Sequence, residues 1–151
     1  MKVLPVGRAG YGMVELAAPG LLAERLLGQR LDPPARLIAR ILGARHLAQA
    51  CLSGPAPTAA VLALGVEVDA LHTASMIGVA VLSRQWRPAA LISAAAATGF
   101  ATAGGLATRN ARRHPPGRVR HGQAVQLRDT WGEQLARYLI PRYAQCVKEP
   151  A

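Results

Sequence analysis

Aromatic side chains are scarce in this sequence: they make up 4% of its 151 residues, with a single Phe. A buried aromatic ring supplies about 150–250 Å² to a core, so these residues do not build the bulky interior of an ordinary soluble globule. Cysteine is nearly absent too. Cys51 and Cys146 stand in unlike contexts, which excludes a disulfide framework and a cysteine metal site; free, buried thiols are expected. Only Lys2 and Lys148 are lysines, so arginine supplies 16 of the 18 basic groups. Lys2 and Arg8 could head a secretory n-region, yet Glu15 interrupts the apolar stretch behind them and no clean small-residue cleavage site follows. No secretory leader is expected. The length suits one domain and is too short for two.

What is abundant is small and aliphatic. Apolar residues reach 51%, mainly Ala, Leu and Val, a composition suited to close helix–helix packing. The mean hydropathy of +0.18 averages an apolar region and a basic extension. The net charge is +10, which fits nucleic acid or anionic lipid head groups as a partner. Position decides between them. Five arginines lie between Arg109 and Arg120, directly after an apolar run, where a juxtamembrane cluster acts as a topology signal. No aromatic residue is interleaved with them, so bases have no stacking platform, and nucleic acid is not the expected partner.

Four apolar segments precede that cluster. The first, from about Ala9 to Leu27, carries Glu15, Pro19 and Glu24 and reads as a span or an interfacial helix. Asp32-Pro33-Pro34 then suits a helix start, with Asp32 as the cap and the prolines in the first turn. The second segment, Ala35 to Leu52, is interrupted by Arg36, Arg40, Arg45 and His46. A tight turn at Ser53-Gly54-Pro55-Ala56-Pro57 leads to the third, Thr58 to Ser83, with ten Val, Leu or Ile residues between Val61 and Leu82. Arg84-Gln85-Trp86-Arg87-Pro88 reads as an interface anchor. The fourth segment, Pro88 to Thr108, holds 21 residues without a charge, matching the ~20 needed to cross a bilayer. Ala95, Gly99 and Ala103 recur in it every four residues, a small-residue face that lets another helix approach closely.

The informative chemistry is ionisable and lies at membrane depth. Glu67 and Asp69 sit near the middle of the third segment, with His72 a turn on. Both carboxylates ionised cost about 5–7 kcal/mol on the insertion scale, while ten Val/Leu/Ile return about 3–6. These charges therefore need protonation or cationic partners. If the second and third segments form a hairpin about Gly54-Pro55, Arg40 shares a depth with Asp69 and Arg45 falls nearest Leu64, which predicts an Arg40–Asp69 pair. Glu67, two residues from Asp69, projects to the opposite side, toward another helix or a cavity. Asp69 and His72 share a face, but two ligands are too few for a metal site. Ser75 near His72 lacks any nucleophile-elbow context.

The run Arg40-Ile41-Leu42-Gly43-Ala44-Arg45, followed by an Asp in the next span, resembles a group of small bacterial membrane proteins of unknown function. These look like four-helix proteins with an Arg-x-x-Gly-x-Arg element in the second helix. The resemblance covers about Gly7 to Thr108. It implies that architecture and a paired site at Arg40, Arg45 and Asp69, and it implies no activity.

The expected fold is thus all-α: an integral membrane bundle of about four helices (1–108), a basic linker (109–122) and an amphipathic C-terminal helix (123–151). In the last, Leu127, Trp131, Leu135, Tyr138 and Leu139 form an apolar side opposite Arg128, Arg137 and Arg142, with Pro141 ending or kinking the helix. Four spans place both termini and the 109–120 arginines in the cytoplasm, beneath the bacterial inner membrane, and leave Arg30, Arg36, Arg84 and Arg87 outside. The functional expectation is a non-catalytic accessory or scaffold protein, not an enzyme, without metal or cofactor. Its expected partners are the lipid bilayer and a protein or second copy on the Ala95/Gly99/Ala103 face. One alternative is an ion, proton or small polar ligand transport or binding bundle around Arg40, Arg45, Glu67, Asp69 and His72. Another is a soluble helical protein with a nucleic-acid-binding tail.

Overall fold

Proline and glycine decide where this chain stops being helical. The computed structural model describes residues 3–53, 57–113 and 123–140, with Ala124 as backbone only. Six helices follow one another: α1 (Val3–Ala17), α2 (Leu21–Leu27), α3 (Pro33–Ser53), α4 (Ala59–Leu82), α5 (Arg87–Arg113) and α6 (Gln123–Leu139). The first apolar segment is not one span. Pro19 has no N–H to continue a helix, and Gly20 adopts φ 99°, a left-handed conformation open to glycine. Two short helices, α1 and α2, result.

The later boundaries fall close to those expected. Asp32 Oδ1 accepts the N–H of Ala35 at 2.9 Å, capping α3 with Pro33 and Pro34 in its first turn. Thr58 Oγ1 accepts the N–H of Val61 at 3.3 Å at the start of α4. α5 continues to Arg113, so Arg109, Arg112 and Arg113 ride on helix instead of linker. Residues 114–122, Gly54–Ala56, and the end of the tail with Pro141, Arg142 and Cys146 lie outside the described residues. Cys51, expected to be buried, is a free and exposed thiol.

The partnering of helices differs from the sequential hairpin expected of the second and third segments. α4 runs along α5, α1 runs along α3, and α3 meets α4 only sparsely. Two glycines explain the second pairing. A Cβ at Gly12 would stand 2.7 Å from the carbonyl oxygen of Gly43, and one at Gly43 2.6 Å from that of Gly12. The two backbones touch where no side chain fits.

The seam of α5 consists of Ala90, Ala94, Ala97, Gly104, Thr108 and Ala111, all buried. Ala95, Gly99 and Ala103 are exposed instead, and a Cβ on Gly99 would meet nothing. That small-residue face therefore packs against no helix among the described residues.

Polarity is reversed relative to a soluble globule. Among the described residues, the buried hydrophobic side chains are eight alanines and Leu62, whereas the largest fully buried ones are Arg8 and Asp69. Leu71, Ile77, Val81 and Leu82 of α4, with Leu91 and Leu106 of α5, are exposed. α4 and α5 are each long and apolar enough to cross a membrane. α6 docks on α4 through small residues: Gly132 and Ala136 are buried, and a Cβ on Gly132 would lie 2.7 Å from Val61 Cγ2. Its apolar residues Leu127, Trp131, Leu135, Tyr138 and Leu139 are exposed, and Trp131 and Leu135 also border the space between α6 and α4.

Candidate functional site

On α1, Arg8, Tyr11, Gly12 and Glu15 recur at offsets of three, four and seven, which places them on one helix face. Because Gly12 abuts Gly43, that face is pressed inward and carries Arg8 into the interior. Arg45 lies two residues past Gly43 on α3, and Asp69 lies at the middle of α4. The three converge. Arg8 Nη2 donates to Asp69 Oδ2, and Arg45 Nη2 donates to Asp69 Oδ1 at 2.5 Å. The side chains of Arg8 and Asp69 are 2% and 0% exposed, that of Arg45 23%.

Around this cluster sits the single Phe of the chain. The Arg8 guanidinium carbon lies 5.2 Å from the Phe100 ring centroid, within reach of a cation–π attraction. Tyr11, His46 and Phe100 contact one another with ring centroids 5.1 to 5.7 Å apart. Several buried polar atoms make no hydrogen bond among the described residues: Nε and Nη1 of Arg8, Nε of Arg45, Nδ1 of His46, Oε2 of Glu15, and both carboxamide atoms of Gln49.

The expected Arg40–Asp69 pair does not form. Arg40 is exposed and makes no ion pair among the described residues, and Arg45 takes its place. The equal-depth argument failed because α3 packs on α1 instead of folding back on α4, which shifts its register by more than a turn. Arg8, assigned on sequence to the N-terminal flank, is the residue sequence reasoning missed. The signal was present in the Arg8/Gly12/Glu15 spacing, opposite the exposed Val3, Val6 and Met13. Glu67 is exposed on α4 and faces neither another helix nor a cavity. His72 makes no hydrogen bond to Asp69 among the described residues; its Nε2 lies 2.9 Å from Ser93 Oγ, within electrostatic reach of Arg45. Ser75 donates to the carbonyl of Leu71 at 2.8 Å, so it is no partner of His72.

Chemically, each oxygen of Asp69 accepts from a guanidinium, which ties the carboxylate into an ion-pair cluster. Among the described residues, no group of three His, Cys, Asp or Glu is placed to hold a metal ion. Arg8 and Arg45 share the one carboxylate of Asp69, and the half-buried Glu15 lies within electrostatic reach of Arg45. Two cavities flank the cluster. One of ≈140 Å³ is walled by Tyr11, Glu15, Leu42, Met76 and Trp86 among others. The second, of ≈360 Å³, is bounded by Arg8, Gln49, Gly65 and the inner side of α6. Comparison with family models, with curated proteins and with solved structures finds no match to this chain.

Proposed function

We propose that this chain is a small, non-catalytic integral membrane protein of the bacterial inner membrane, an accessory or scaffold bundle of α1, α3, α4 and α5 pinned by Asp69. One observation carries the reading: the largest fully buried side chains are the charged Arg8 and Asp69, while large aliphatic side chains of α4 and α5 are exposed. In water, exposing so many leucines and valines around a core of alanines forfeits the hydrophobic drive, about 25 cal/mol per Å² of apolar surface. In a bilayer that surface is matched to its solvent. The interior then needs close approach between small residues and satisfied polar pairs, which is what the Gly12–Gly43 contact and the Asp69 cluster supply.

Length supports the same reading for α3, α4 and α5. Their 21, 24 and 27 residues rise about 32, 36 and 41 Å at 1.5 Å per residue, against a hydrocarbon core of about 30 Å. α1, with 15 residues, rises about 22 Å and enters as the shortest member, held by Arg8 on Asp69. A cytoplasmic position for the end of α5 is supported by Arg109, Arg112 and Arg113 there, since basic residues favour that side. Arg87 at the other end donates Nε to the carbonyl of Ala80 at 2.7 Å, which ties it to the last turns of α4. The non-catalytic reading rests on Asp69 being engaged by guanidiniums at both oxygens as a structural pair. α6, with Leu127, Tyr138 and Leu139 exposed, offers a surface to lipid or to a partner.

The test is an alkaline carbonate wash of membranes holding the full-length protein, followed by detergent extraction. Retention in the pellet with release by detergent is the expected result. Release by carbonate alone would overturn the membrane reading.

A further inference from the structure

In the cluster around Asp69, Arg8 and Arg45 share one carboxylate, Glu15 lies within electrostatic reach of Arg45, and the ≈360 Å³ cavity borders Arg8. Arg128, also in its wall, pairs with Asp129: Nε donates to Oδ1 at 2.8 Å and Nη2 lies 2.7 Å from it without a hydrogen bond of its own among the described residues, while Nη1 donates to the carbonyl of Leu52 at 3.2 Å. Arg8 has to share its carboxylate, Asp69, with Arg45. Its side chain is 2% exposed, and Nε and Nη1 have no acceptor among the described residues. A Cβ at Gly65, which lines the cavity, would stand 3.7 Å from Nη1, so that nitrogen borders the space Gly65 leaves open. Gln49 lines the same cavity with both carboxamide atoms unpartnered. The remaining wall is apolar, with Val61, Leu64, Trp131 and Leu135 among its members.

We propose that this cavity binds a single-chain amphiphilic carboxylate, its head group on Arg8 Nη1 and the Gln49 carboxamide and its hydrocarbon chain between α4 and α6. Arg8 selects the head. A carboxylate accepts from Nη1, which neither Asp69 nor Glu15 engages, and leaving a buried guanidinium donor unmet is costly. Shape selects the tail. An inorganic anion satisfies the donors but leaves the apolar wall uncovered, and a neutral hydrocarbon does the reverse. The volume lies in the lower part of the ~300–1,000 Å³ range of ligand sites, room for one chain and not for the two chains of a phospholipid. Gly132 lets α6 approach α4 closely at this wall. This inference goes beyond the membrane reading, since it concerns what the interior holds and not where the bundle resides.

The test uses the full-length protein in nanodiscs of zwitterionic lipid, titrated with decanoate labelled at the carboxyl carbon and followed by NMR. Decanol, decyltrimethylammonium and phosphatidylglycerol serve as competitors. Saturable binding of decanoate is expected, with none of the three displacing it. Gly65→Val, which covers Arg8 Nη1, should weaken binding at least about tenfold, and Gln49→Leu by several-fold, as loss of a hydrogen bond to a charged group implies. Thermal unfolding of each variant establishes that the fold is retained. Trp131→Ala, on the outer helix, gives a third readout through the tail alone. Absence of saturable decanoate binding would overturn the proposal, as would equal binding of decanol, displacement by phosphatidylglycerol, or unchanged affinity in folded Gly65→Val. None of those outcomes alters carbonate resistance, so failure here is separable from failure of the membrane reading.

Discussion

Between α4 and α5 the α5 side of the seam is alanines, one glycine and one threonine; between α1 and α3 the buried residues are Gly12, Gly43, Arg8 and His46. The first pair is a hairpin joined across residues 83–86, long and apolar enough to cross a bilayer. The second is separated in the chain by α2, carries Arg8 and Arg45 inward, and closes backbone against backbone. One pair needs only surface to hold together. The other relies on a carboxylate lent by the first, because Asp69 belongs to α4 while both of its cations come from α1 and α3. A polar pair of helices can therefore be retained in an apolar setting if an apolar frame supplies the counter-charge at one point.

Breaking the glycine contact is expected to have the largest effect. Gly43→Leu places atoms within 2.6 Å of the Gly12 carbonyl oxygen, and forcing the two backbones apart should cost more than about 3 kcal/mol. Unfolding of the detergent-solubilised protein measures it. The α4/α5 hairpin should still resist carbonate.

Next comes Asp69→Asn, which leaves two buried guanidiniums facing a neutral amide and should cost about 3–5 kcal/mol. Glu67→Gln, two residues away on the exposed face, should instead be neutral or stabilising in a bilayer, since an ionised carboxylate there carries a cost of about 2.5–3.5 kcal/mol. Opposite signs for two acidic residues of one helix would sharpen the contrast between its faces. The same unfolding assay reads both.

A smaller contrast separates the two arginines of α3. Arg45→Gln removes a charge-assisted bond to Asp69 from a partly exposed position and should cost about 1–3 kcal/mol. Arg40→Gln should stay within about 0.5 kcal/mol. Equal losses would restore the pairing that depth alone suggested. Smallest for the bundle itself is Gly132→Leu, which clashes with Val61 and should undock α6 at a cost of about 1–3 kcal/mol. Limited proteolysis should then cleave α6 faster while the unfolding midpoint of the rest holds.

Much of the helical layout was legible because its punctuation is chemical. Asp32 with two prolines, Thr58 after Pro57, and the Arg84–Pro88 loop each mark a boundary by a cap or a missing N–H. The break at Pro19-Gly20 carried the same kind of signal inside a segment whose apolar run hid it. Which helices pair was not legible, because adjacency in the chain suggests α3 with α4, whereas the Gly12–Gly43 contact depends on two residues 31 positions apart. The inward face of α5 was not legible either. Where nearly every residue is alanine, glycine or threonine, a four-residue repeat can be found on more than one face, and the repeat at Ala95, Gly99 and Ala103 lies on the outer one. For the site, Asp69 and Arg45 were found through the cost of charge in an apolar segment. Arg8 was missed because a basic residue near an N-terminus has an ordinary explanation in topology, and only its spacing from Gly12 and Glu15 argued otherwise.

The central claim is that the aliphatic exterior of α4 and α5 meets lipid while the Arg8/Arg45/Asp69 cluster lies inside, and spin labels test it most directly. Labels placed singly at Leu71, Ile77 and Leu106 in the liposome-reconstituted protein should relax strongly with dissolved oxygen and weakly with a water-soluble nickel chelate. Strong relaxation by the nickel chelate at all three positions would place that surface in water and contradict the account.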